Sequence, residues 1–243
     1  MNDTANQAIP AGSPDPVGAP EAGQIREIEE ALRGKRLQSA LKRGFDILAG
    51  VGGLAVLWPV LLGIAVAIRM DDGGPVFYRQ ERVGRDGMFF HILKFRTMIQ
   101  DADKRGLLTV GADDRITRVG RMLRRTKLDE LAQLFNVLGG QMSLVGPRPE
   151  VPRYVALYTP LQRMVLRVRP GVTDLASIRY RDESALLGAS EHPERTYVEE
   201  IMPAKLAINL AYLRGFSLWG DIRLLFSTVF HLGRDAMARR AQE

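Results

Sequence analysis

Two adjacent carboxylates, Asp129 and Glu130, are the residues of this sequence best placed to do chemistry. The apolar spacing over residues 128–138 predicts an amphipathic helix, with Thr126 as its N-cap and Gly139-Gly140 as its stop. Both carboxylates would then lie in the first turn, where acidic side chains commonly cap a helix and complement its dipole. A carboxylate pair can also attack or activate a phosphorylated substrate. Spacing alone leaves both interpretations open.

Arginines flank the carboxylate pair on both sides. Downstream, Gly146-Pro147-Arg148-Pro149 predicts a rigid turn, since two prolines restrict the backbone around Arg148. Upstream, Arg118, Arg121 and Arg125 share one face of a predicted helix. Such a face suits anionic headgroups or a diphosphate. Nucleic acid is a weaker partner, because no stacking aromatic residues are interleaved there.

Two predicted strands precede these elements. Residues 76–83 and 88–98 have strand character, and Gly84-Arg85-Asp86-Gly87 is typical of the turn between them. Lys94 and Arg96 alternate onto one face of the second strand. That face either meets solvent or contributes cations to a site.

Composition narrows the classes of function. The chain has 243 residues, a formal net charge of +6 and a pI near 9.8, which favours an anionic partner. It contains no cysteine, which excludes a disulfide framework, a thiol nucleophile and a thiolate zinc site. Its three histidines are scattered and do not suggest a metal centre. Residues 1–23 are rich in proline and alanine, are unlike a signal peptide, and are predicted to be disordered.

Residues 45–68 form the most apolar stretch, which is long enough as a helix to cross a bilayer core of about 30 Å. Trp58 and Pro59 interrupt it, and basic residues flank both ends. A re-entrant helix hairpin that breaks at Trp58-Pro59 would keep both basic flanks on the cytoplasmic side. A single span with a proline kink and a buried helix of a soluble protein are the alternatives.

The ordered motif set resembles the bacterial sugar transferase family, and specifically the small form of its monotopic polyprenyl-phosphate phosphoglycosyl transferases. An apolar segment with an internal proline comes first. The motifs that follow it are Gly74-Pro75-Val76-Phe77-Tyr78-Arg79-Gln80, Lys94-Phe95-Arg96-Thr97-Met98, Lys127-Leu128-Asp129-Glu130-Leu131 and Gly146-Pro147-Arg148-Pro149. The resemblance runs from about residue 41 to residue 230.

The resemblance implies transfer of sugar-1-phosphate from a nucleoside-diphosphate sugar, usually a UDP-sugar, to polyprenyl phosphate. The products would be polyprenyl-diphosphate-sugar and UMP, in the first membrane step of cell-surface glycan or exopolysaccharide synthesis. Asp129 matches the nucleophile that carries a covalent phosphosugar. Glu130 matches a residue assigned to magnesium or to proton handling, so that Asp129 and Glu130 would hold Mg²⁺. Arg124 and Arg148 match phosphate-binding arginines, and Lys94 and Arg96 are further candidates.

The resemblance also implies an architecture. The fold class would be α+β and mostly helical, with a re-entrant membrane hairpin, amphipathic interfacial helices and a small β-hairpin. Four segments are predicted: a disordered tail (1–23), a basic helix with the hairpin (24–69), a cytoplasmic catalytic domain (70–233) and a charged tail (234–243). The location would be the cytoplasmic face of the bacterial inner membrane. Anionic lipid is an expected partner, and a homodimer is a candidate assembly.

This sequence departs from the family pattern at three positions. Trp58 stands where a small hydroxylated residue usually precedes the hairpin proline, Lys127 replaces the usual Ser or Thr, and Asp174 stands where glycine is common. The competing hypothesis is a catalytically silent scaffold that binds anionic lipid. Lipid binding needs only scattered positive charge, so the complete set of motif residues favours the enzyme.

Overall fold

The computed structural model describes residues 19–102, 108–109 and 113–228. Helices alternate with short strands. The helices are α1 (Ala19–Arg33), α2 (Arg36–Asp72), α3 (Arg118–Thr126), α4 (Gln133–Leu138), α5 (Pro152–Val155), α6 (Leu175–Arg179), α7 (Glu183–Gly188), α8 (Pro193–Thr196), α9 (Met202–Arg214) and α10 (218–228). The strands are β1 (Phe77–Val83), β2 (Phe89–Phe95), β3 (Ser143–Val145) and β4 (Gly171–Thr173). The predicted mostly helical α+β class is confirmed, and the tail at 234–243 lies outside the described residues.

The predicted β-hairpin is present. Strands β1 and β2 pair antiparallel, with Phe77 opposite Phe95 and Val83 opposite Phe89. The connection is a 3₁₀ turn in which Asp86 has φ 55° and Gly87 has φ 78°. Positive φ at both positions explains why the sequence places Asp-Gly there.

Helix α2 contains the whole apolar stretch. It is assigned as one helix through Pro59, so the two-helix hairpin predicted with a break at Trp58-Pro59 is not seen in the secondary structure. Among the described residues, it is the one helix with the length and apolarity to cross a membrane. Trp58 is 60% exposed.

One face of α2 packs against the rest of the protein along most of its length. Phe45, Ala49 and Leu57 contact the cluster that contains Leu134 and Val137. Farther along, Leu61, Ile64 and Ile68 join a second cluster. That cluster also contains Phe95, Leu123 and Ala132. The opposite face is apolar and exposed, and it includes Leu48, Val51, Val56, Leu62 and Met70.

The N-terminal helix α1 packs against α9. Ile28 is fully buried in the largest core cluster, and Ile25 and Leu32 pack beside it. This helix begins at Ala19, earlier than the predicted start of helical structure at residue 24. Residues 1–18, most of the predicted disordered tail, lie outside the described residues.

A buried ion pair fixes α10 to the start of α2. Lys42 Nζ lies 2.5 Å from Asp221 Oδ2, and the Tyr212 hydroxyl donates to Asp221 Oδ1 at 2.8 Å. The hydroxyl of Ser217 accepts from the Gly220 N–H at 3.1 Å and caps this helix. Trp219 on α10 stays largely exposed.

A two-stranded parallel sheet positions the arginine turn. Ser143 of β3 pairs with Gly171 of β4. Gly146 and Gly171 pack so closely that a Cβ on either would overlap backbone atoms of the other segment. The Gly171 N–H donates to the Pro147 carbonyl at 3.0 Å, so the chain before Arg148 is held from both sides.

Candidate active site

Asp129 and Glu130 lie on a 3₁₀ turn, Leu128–Ala132, between α3 and α4. The prediction that Thr126 is the N-cap of the helix carrying these carboxylates is wrong. Thr126 is instead the last residue of α3, and its hydroxyl donates to the Met122 carbonyl at 2.9 Å. Lys127 adopts φ 59°, which reverses the chain and starts the 3₁₀ turn. The helix stop at Gly139-Gly140 is confirmed, because α4 ends at Leu138.

Glu130 contacts two cationic side chains, Lys94 and Arg148. Lys94 Nζ lies 3.2 Å from Glu130 Oε1, and Arg148 Nη1 lies 3.2 Å from Oε2. A second Arg148 nitrogen, Nη2, contacts Oε1, so the arginine grips both carboxylate oxygens. Burial opposes ionisation of Glu130, but Arg148 and Lys94 outweigh it and hold the pKa of this carboxyl well below its ordinary value. Glu130 is therefore a fixed anion that positions two cations.

Asp129 is in the opposite electrostatic situation. Its side chain is buried, and its Oδ1 atom has no hydrogen-bond partner within the described residues. Burial raises the pKa of Asp129 above its ordinary value, while the charge of Lys94 acts in the other direction. A carboxylate with few protein hydrogen bonds is costly to ionise and correspondingly reactive once ionised. Of the two acidic residues, Asp129 is the one with an oxygen that has no protein partner within the described residues.

Arg124 reaches the same region from α3. Its Nε donates to the Thr97 hydroxyl at 2.8 Å, and its Nη1 donates to the Thr109 hydroxyl at 3.2 Å. Burial lowers the pKa of Arg124, and the charge of Asp129 opposes that shift. Sequence reasoning named Arg124 and missed both threonines. Thr97 lies in the quoted Lys-Phe-Arg-Thr-Met motif, which was the available signal.

Arg96 lies away from this cluster. Its Nη1 lies 2.5 Å from Asp72 Oδ2, and its Nε donates to the Pro75 carbonyl at 2.6 Å. Arg96 is buried, with 6% of its surface exposed. Strand alternation predicts a shared face for Lys94 and Arg96, but Lys94 contacts Glu130 whereas Arg96 contacts Asp72. A phosphate-binding role for Arg96 stays a prediction, and the geometry points to a tie between α2 and β2.

The carboxylate pair opens into a cavity of about 1450 Å³. Lys94, Arg124, Asp129, Glu130 and Arg148 line one part of it. Further lining residues come from the chain after Glu150. The aromatic and polar ones include Tyr154, Tyr180, Tyr197, Lys205 and Asn209. A cavity with cations in one part and aromatic and polar groups in another suits a ligand with a diphosphate and a polar body.

Glu150 braces one wall of this cavity and was not predicted. It accepts from Arg82 Nη1 at 3.2 Å and from the Tyr197 hydroxyl. Burial and the neighbouring Glu150 charge raise the pKa of Tyr197 far above its ordinary value, so Tyr197 remains a neutral donor. Asp174, unlike Glu150, does not line this cavity. Its Oδ1 accepts from the Ser177 N–H at 2.8 Å and caps α6.

The donor set is suited to Mg²⁺. Among the described residues, no group of three or more His, Asp or Glu side chains is placed to hold a metal. Asp129 and Glu130 nevertheless offer two adjacent carboxylates, and Asp129 Oδ1 lacks a protein partner. Mg²⁺ is commonly held by one or two carboxylates, with substrate phosphates and water completing its shell. The residues present therefore fit a substrate-completed magnesium site.

Comparison with known proteins gives two kinds of match. A family model described as bacterial sugar transferase matches residues 37–235. The UDP-glucose:undecaprenyl-phosphate glucose-1-phosphate transferase of Klebsiella pneumoniae is 40% identical over 199 residues, which cover 80% of this chain and 40% of that protein. The Aeromonas hydrophila protein named UDP-N-acetylgalactosamine-undecaprenyl-phosphate N-acetylgalactosaminephosphotransferase is 36% identical, over 85% of this chain and 48% of that protein.

Shorter relatives align over most of their own length. The exopolysaccharide production protein PSS of Rhizobium leguminosarum bv. phaseoli is 41% identical over 199 residues, which cover 78% of this chain and 93% of that protein. By contrast, the chain spans less than half of the two larger relatives named above. The matched region contains α2, the β-hairpin, the carboxylate turn and the arginine turn. The chain therefore belongs to the bacterial sugar transferase family.

Proposed function

We propose that this protein transfers sugar-1-phosphate from a UDP-sugar to polyprenyl phosphate, in the first membrane step of exopolysaccharide or other cell-surface glycan synthesis. The observation that carries the proposal is Asp129, a buried carboxylate with an unpartnered oxygen in a cavity that also holds Lys94, Arg124 and Arg148. The Klebsiella pneumoniae relative is named as a transferase of glucose-1-phosphate from UDP-glucose to undecaprenyl phosphate, which is a reaction of this class.

In the first step, an Asp129 oxygen attacks the donor phosphorus that carries the sugar. The bond between that phosphorus and the oxygen bridging to the nucleoside phosphate breaks, and UMP leaves with the electron pair. Asp129 then carries the sugar-1-phosphate as an acyl phosphate. A covalent intermediate divides one transfer between two substrates into two simpler displacements.

In the second step, a phosphate oxygen of polyprenyl phosphate attacks the same phosphorus. The bond from this phosphorus to Asp129 breaks, which restores the carboxylate and releases polyprenyl-diphosphate-sugar. One reactive position can therefore serve a water-soluble donor and a lipid acceptor in turn. No additional oxidant, reductant or proton donor is required for the balance of either step.

The cations make attack by one anion on another feasible. Charge repulsion between Asp129 and a diphosphate has to be offset in a site that excludes much of the water. Lys94 and Arg148 are held by Glu130, so they are oriented before the substrate arrives. Arg124 is oriented by Thr97 and Thr109. Mg²⁺, held by Asp129 and Glu130, would supply further neutralisation of phosphate charge.

We also infer that α2 inserts into the inner membrane from its cytoplasmic face without crossing it, so that both ends of the helix stay on that face. A span needs about 20 residues within the bilayer core. From Phe45 to Ile68, α2 contacts the same protein body at intervals of three to five residues. A helix that crossed the bilayer would have to separate from the rest of the protein. A helix that lies at the membrane interface can keep one face packed on the protein and the exposed apolar face in lipid.

The deciding experiment measures UMP release by the full chain in detergent, with Mg²⁺, polyprenyl phosphate and a panel of UDP-sugars. We expect one donor to give UMP and a sugar-phosphate adduct by intact-mass analysis when the acceptor is withheld. Asp129→Asn should give neither product. The matched control is Asp182→Asn, which removes an exposed carboxylate that lines the same cavity.

Other results would point elsewhere. Full UMP release by Asp129→Asn would show that another group is the nucleophile. Absence of both UMP and adduct across the whole panel, with a folded protein, would favour the catalytically silent lipid-binding scaffold.

A further inference from the structure

Helix α9 forms one wall of the cavity into which the carboxylate pair opens. Met202, Lys205, Leu206 and Asn209 line this wall. These positions are three and four residues apart, so they share one face of the helix. Met202 and Leu206 are buried members of the largest core cluster. Lys205 and Asn209 are therefore the two polar side chains on an otherwise apolar face.

Lys205 has partners within the protein. Its Nζ lies 2.7 Å from Glu183 Oε2 and 5.8 Å from the centre of the Tyr197 ring. The ion pair ties α9 to α7, which begins at Glu183. Lys205 is thus a structural contact of this wall.

Asn209 is buried without such a partner. It is 6% exposed, and its carboxamide makes no hydrogen bond with any described residue. Asn136, which is also buried, donates to the His91 carbonyl and to Gln141 Oε1, and accepts from the Leu93 N–H. An unpaired buried amide destabilises the folded state, whereas a leucine would extend the apolar wall. Asn209 is therefore unfavourable for packing alone, and a ligand that pairs with its amide would remove the penalty.

The wall that carries Asn209 adjoins the arginine turn. The Gly146 N–H, two residues before Arg148, donates to the Thr173 carbonyl at 3.1 Å. Asp174, the next residue, caps α6, and α6 packs against α9. Helix α6 therefore connects the phosphate-binding end of the cavity to the wall with the unpaired amide.

The sugar is the part of the donor that matches this wall. In the proposed reaction the attacked phosphorus carries the sugar directly, so the sugar lies next to the phosphate-binding end. A carboxamide has one acceptor oxygen and two donor hydrogens, which pair with neighbouring sugar hydroxyls. A nucleobase favours a free aromatic face. The Tyr197 ring of this wall already contacts Tyr154, with ring centres 4.9 Å apart, and Lys205.

We propose that Asn209 selects the donor sugar by hydrogen bonding at C2 or C4, the positions at which the common UDP-hexoses differ. The inference rests on the proposed transferase function and names the residue that sets its donor choice. A site that bonds a substrate hydroxyl rejects a donor in which that group is replaced or inverted, because the buried amide is then left unpaired. Lys94, Arg124 and Arg148 serve the phosphates, which every donor shares.

The test compares Asn209→Leu with wild type in kcat/KM for UMP release. The donors are UDP-glucose, UDP-galactose, UDP-N-acetylglucosamine and UDP-N-acetylgalactosamine, and UDP is the competitive inhibitor that reports binding of the shared nucleotide. We expect kcat/KM for the preferred donor to fall at least about tenfold. Its ratio to at least one other donor should fall by a similar factor, while the inhibition constant of UDP stays within about twofold.

The matched control is Gln38→Leu, which replaces an exposed amide of α2 outside the cavity. Its kcat/KM should equal that of wild type for every donor. Asn209→Leu should melt at or above the wild-type temperature, because an unpaired buried amide is removed. Asn209→Ala covers the case in which leucine does not fit, and should show the same loss of sugar selectivity.

Two results would overturn the proposal. An equal fall in kcat/KM for all four donors, together with weaker inhibition by UDP, would assign Asn209 to the nucleotide. Unchanged selectivity among the donors in both Asn209 variants would show that the amide does not contact the sugar.

Binding without turnover separates this inference from the transferase proposal. Isothermal titration of the full chain in detergent with UDP and the same four donors gives dissociation constants even when no UMP is released. If wild type releases no UMP but prefers one UDP-sugar, and Asn209→Leu abolishes that preference, the transferase proposal is wrong and the sugar site is supported. If wild type binds every UDP-sugar only as tightly as UDP, the sugar site is wrong whatever the activity.

Discussion

Gly120 of α3 packs directly against the carbonyl group of Thr97, closer than any side chain would permit. The same threonine accepts a hydrogen bond from Arg124, one turn farther along α3. The contact between Gly120 and Thr97 therefore fixes the distance of α3 from the end of β2. It thereby also fixes the position of Arg124, a candidate phosphate-binding residue. A glycine in a helix interior usually costs stability, so its presence here reflects this close approach.

Gly120→Ala tests that relationship. A Cβ would overlap the Thr97 backbone, which cannot move as a flexible side chain can. We expect a loss of about 3 kcal/mol or more in the free energy of unfolding, comparable to overpacking of a rigid core. The measurement is thermal or denaturant unfolding in detergent.

The control for this substitution is Gly63→Ala in α2, where no atom lies within 4 Å of the added methyl group. Gly63→Ala should be neutral or slightly stabilising because alanine favours helix. Equal stability of the Gly120 and Gly63 variants would show that α3 can shift away from Thr97 without cost.

Asp129→Asn should separate activity from stability. In the folded protein burial raises the pKa of Asp129, so wild-type stability is full below the ordinary pKa of 3.8 and falls as pH rises through the folded value. The amide removes this penalty. At pH 8 we expect the variant to melt about 2–4 °C above wild type, which corresponds to about 1 kcal/mol, while its UMP release is lost.

This stability difference should shrink as the pH is lowered and wild-type Asp129 takes up a proton as well. The control is Asp182→Asn, whose melting temperature should follow that of wild type at every pH. A lower melting temperature for Asp129→Asn at pH 8 would mean that the ionised carboxylate is stabilised by contacts stronger than its burial.

The pH profile of UMP release should be bell-shaped. The acid limb follows ionisation of Asp129, which burial moves above 3.8, so activity rises with pH there. The alkaline limb follows loss of the Lys94 proton, because burial lowers its pKa below 10.5. Because these groups interact, the apparent values belong to the cluster.

Lys94→Arg separates the two limbs of the profile. Arginine stays protonated throughout this range, so the alkaline fall should disappear while the acid rise remains, at a reduced maximal rate. Initial rates of UMP release between pH 5 and pH 10 provide the measurement. An unchanged alkaline limb in Lys94→Arg would assign that limb to another group.

Local patterns predicted much of the scaffold. The Asp-Gly pair between alternating apolar runs identified the β-hairpin, and Gly139-Gly140 identified the end of α4. The start of the carboxylate element was predicted wrongly. Thr126 is the last residue of α3, and the sequence gives no sign that Lys127 has a positive φ, which lysine rarely adopts.

Contacts between distant residues could not be predicted from spacing. Glu130 meets Lys94 across 36 positions and Arg148 across 18, and both contacts depend on how the 3₁₀ turn packs against β2. The same limit explains why the contact between Arg96 and Asp72 was not predicted. Strand alternation puts it on the face of Lys94, but Arg96 lies just beyond the end of β2, where Asp72 of α2 is the nearest carboxylate.

Asp72→Asn tests whether Arg96 is a structural tie. Loss of the charged acceptor should lower the free energy of unfolding by about 1.5–3 kcal/mol, as expected for hydrogen bonds to a charged group. The turnover number for UMP release per folded protein should stay within about twofold of wild type, because Arg96 does not reach Glu130.

The control for Asp72→Asn is Glu81→Gln on β1, an exposed carboxylate whose loss should leave both quantities unchanged. Unfolding in detergent and UMP release together decide the case. A strong fall in the turnover number of the folded Asp72→Asn protein would instead support a phosphate-binding role for Arg96.

The absence of cysteine makes the membrane position of α2 directly measurable. Single cysteines at Leu37 and Met70, both more than 70% exposed, mark the two ends of the helix. If both ends of α2 stay on the cytoplasmic face, a membrane-impermeant maleimide should label both positions in inside-out vesicles and neither in right-side-out vesicles. A cysteine at Val56, in the exposed apolar face, should resist labelling in both preparations until detergent is added. Labelling of Leu37→Cys and Met70→Cys from opposite sides would establish a span, and the packed face of α2 would then have to separate from Leu134 and Leu123 in the membrane.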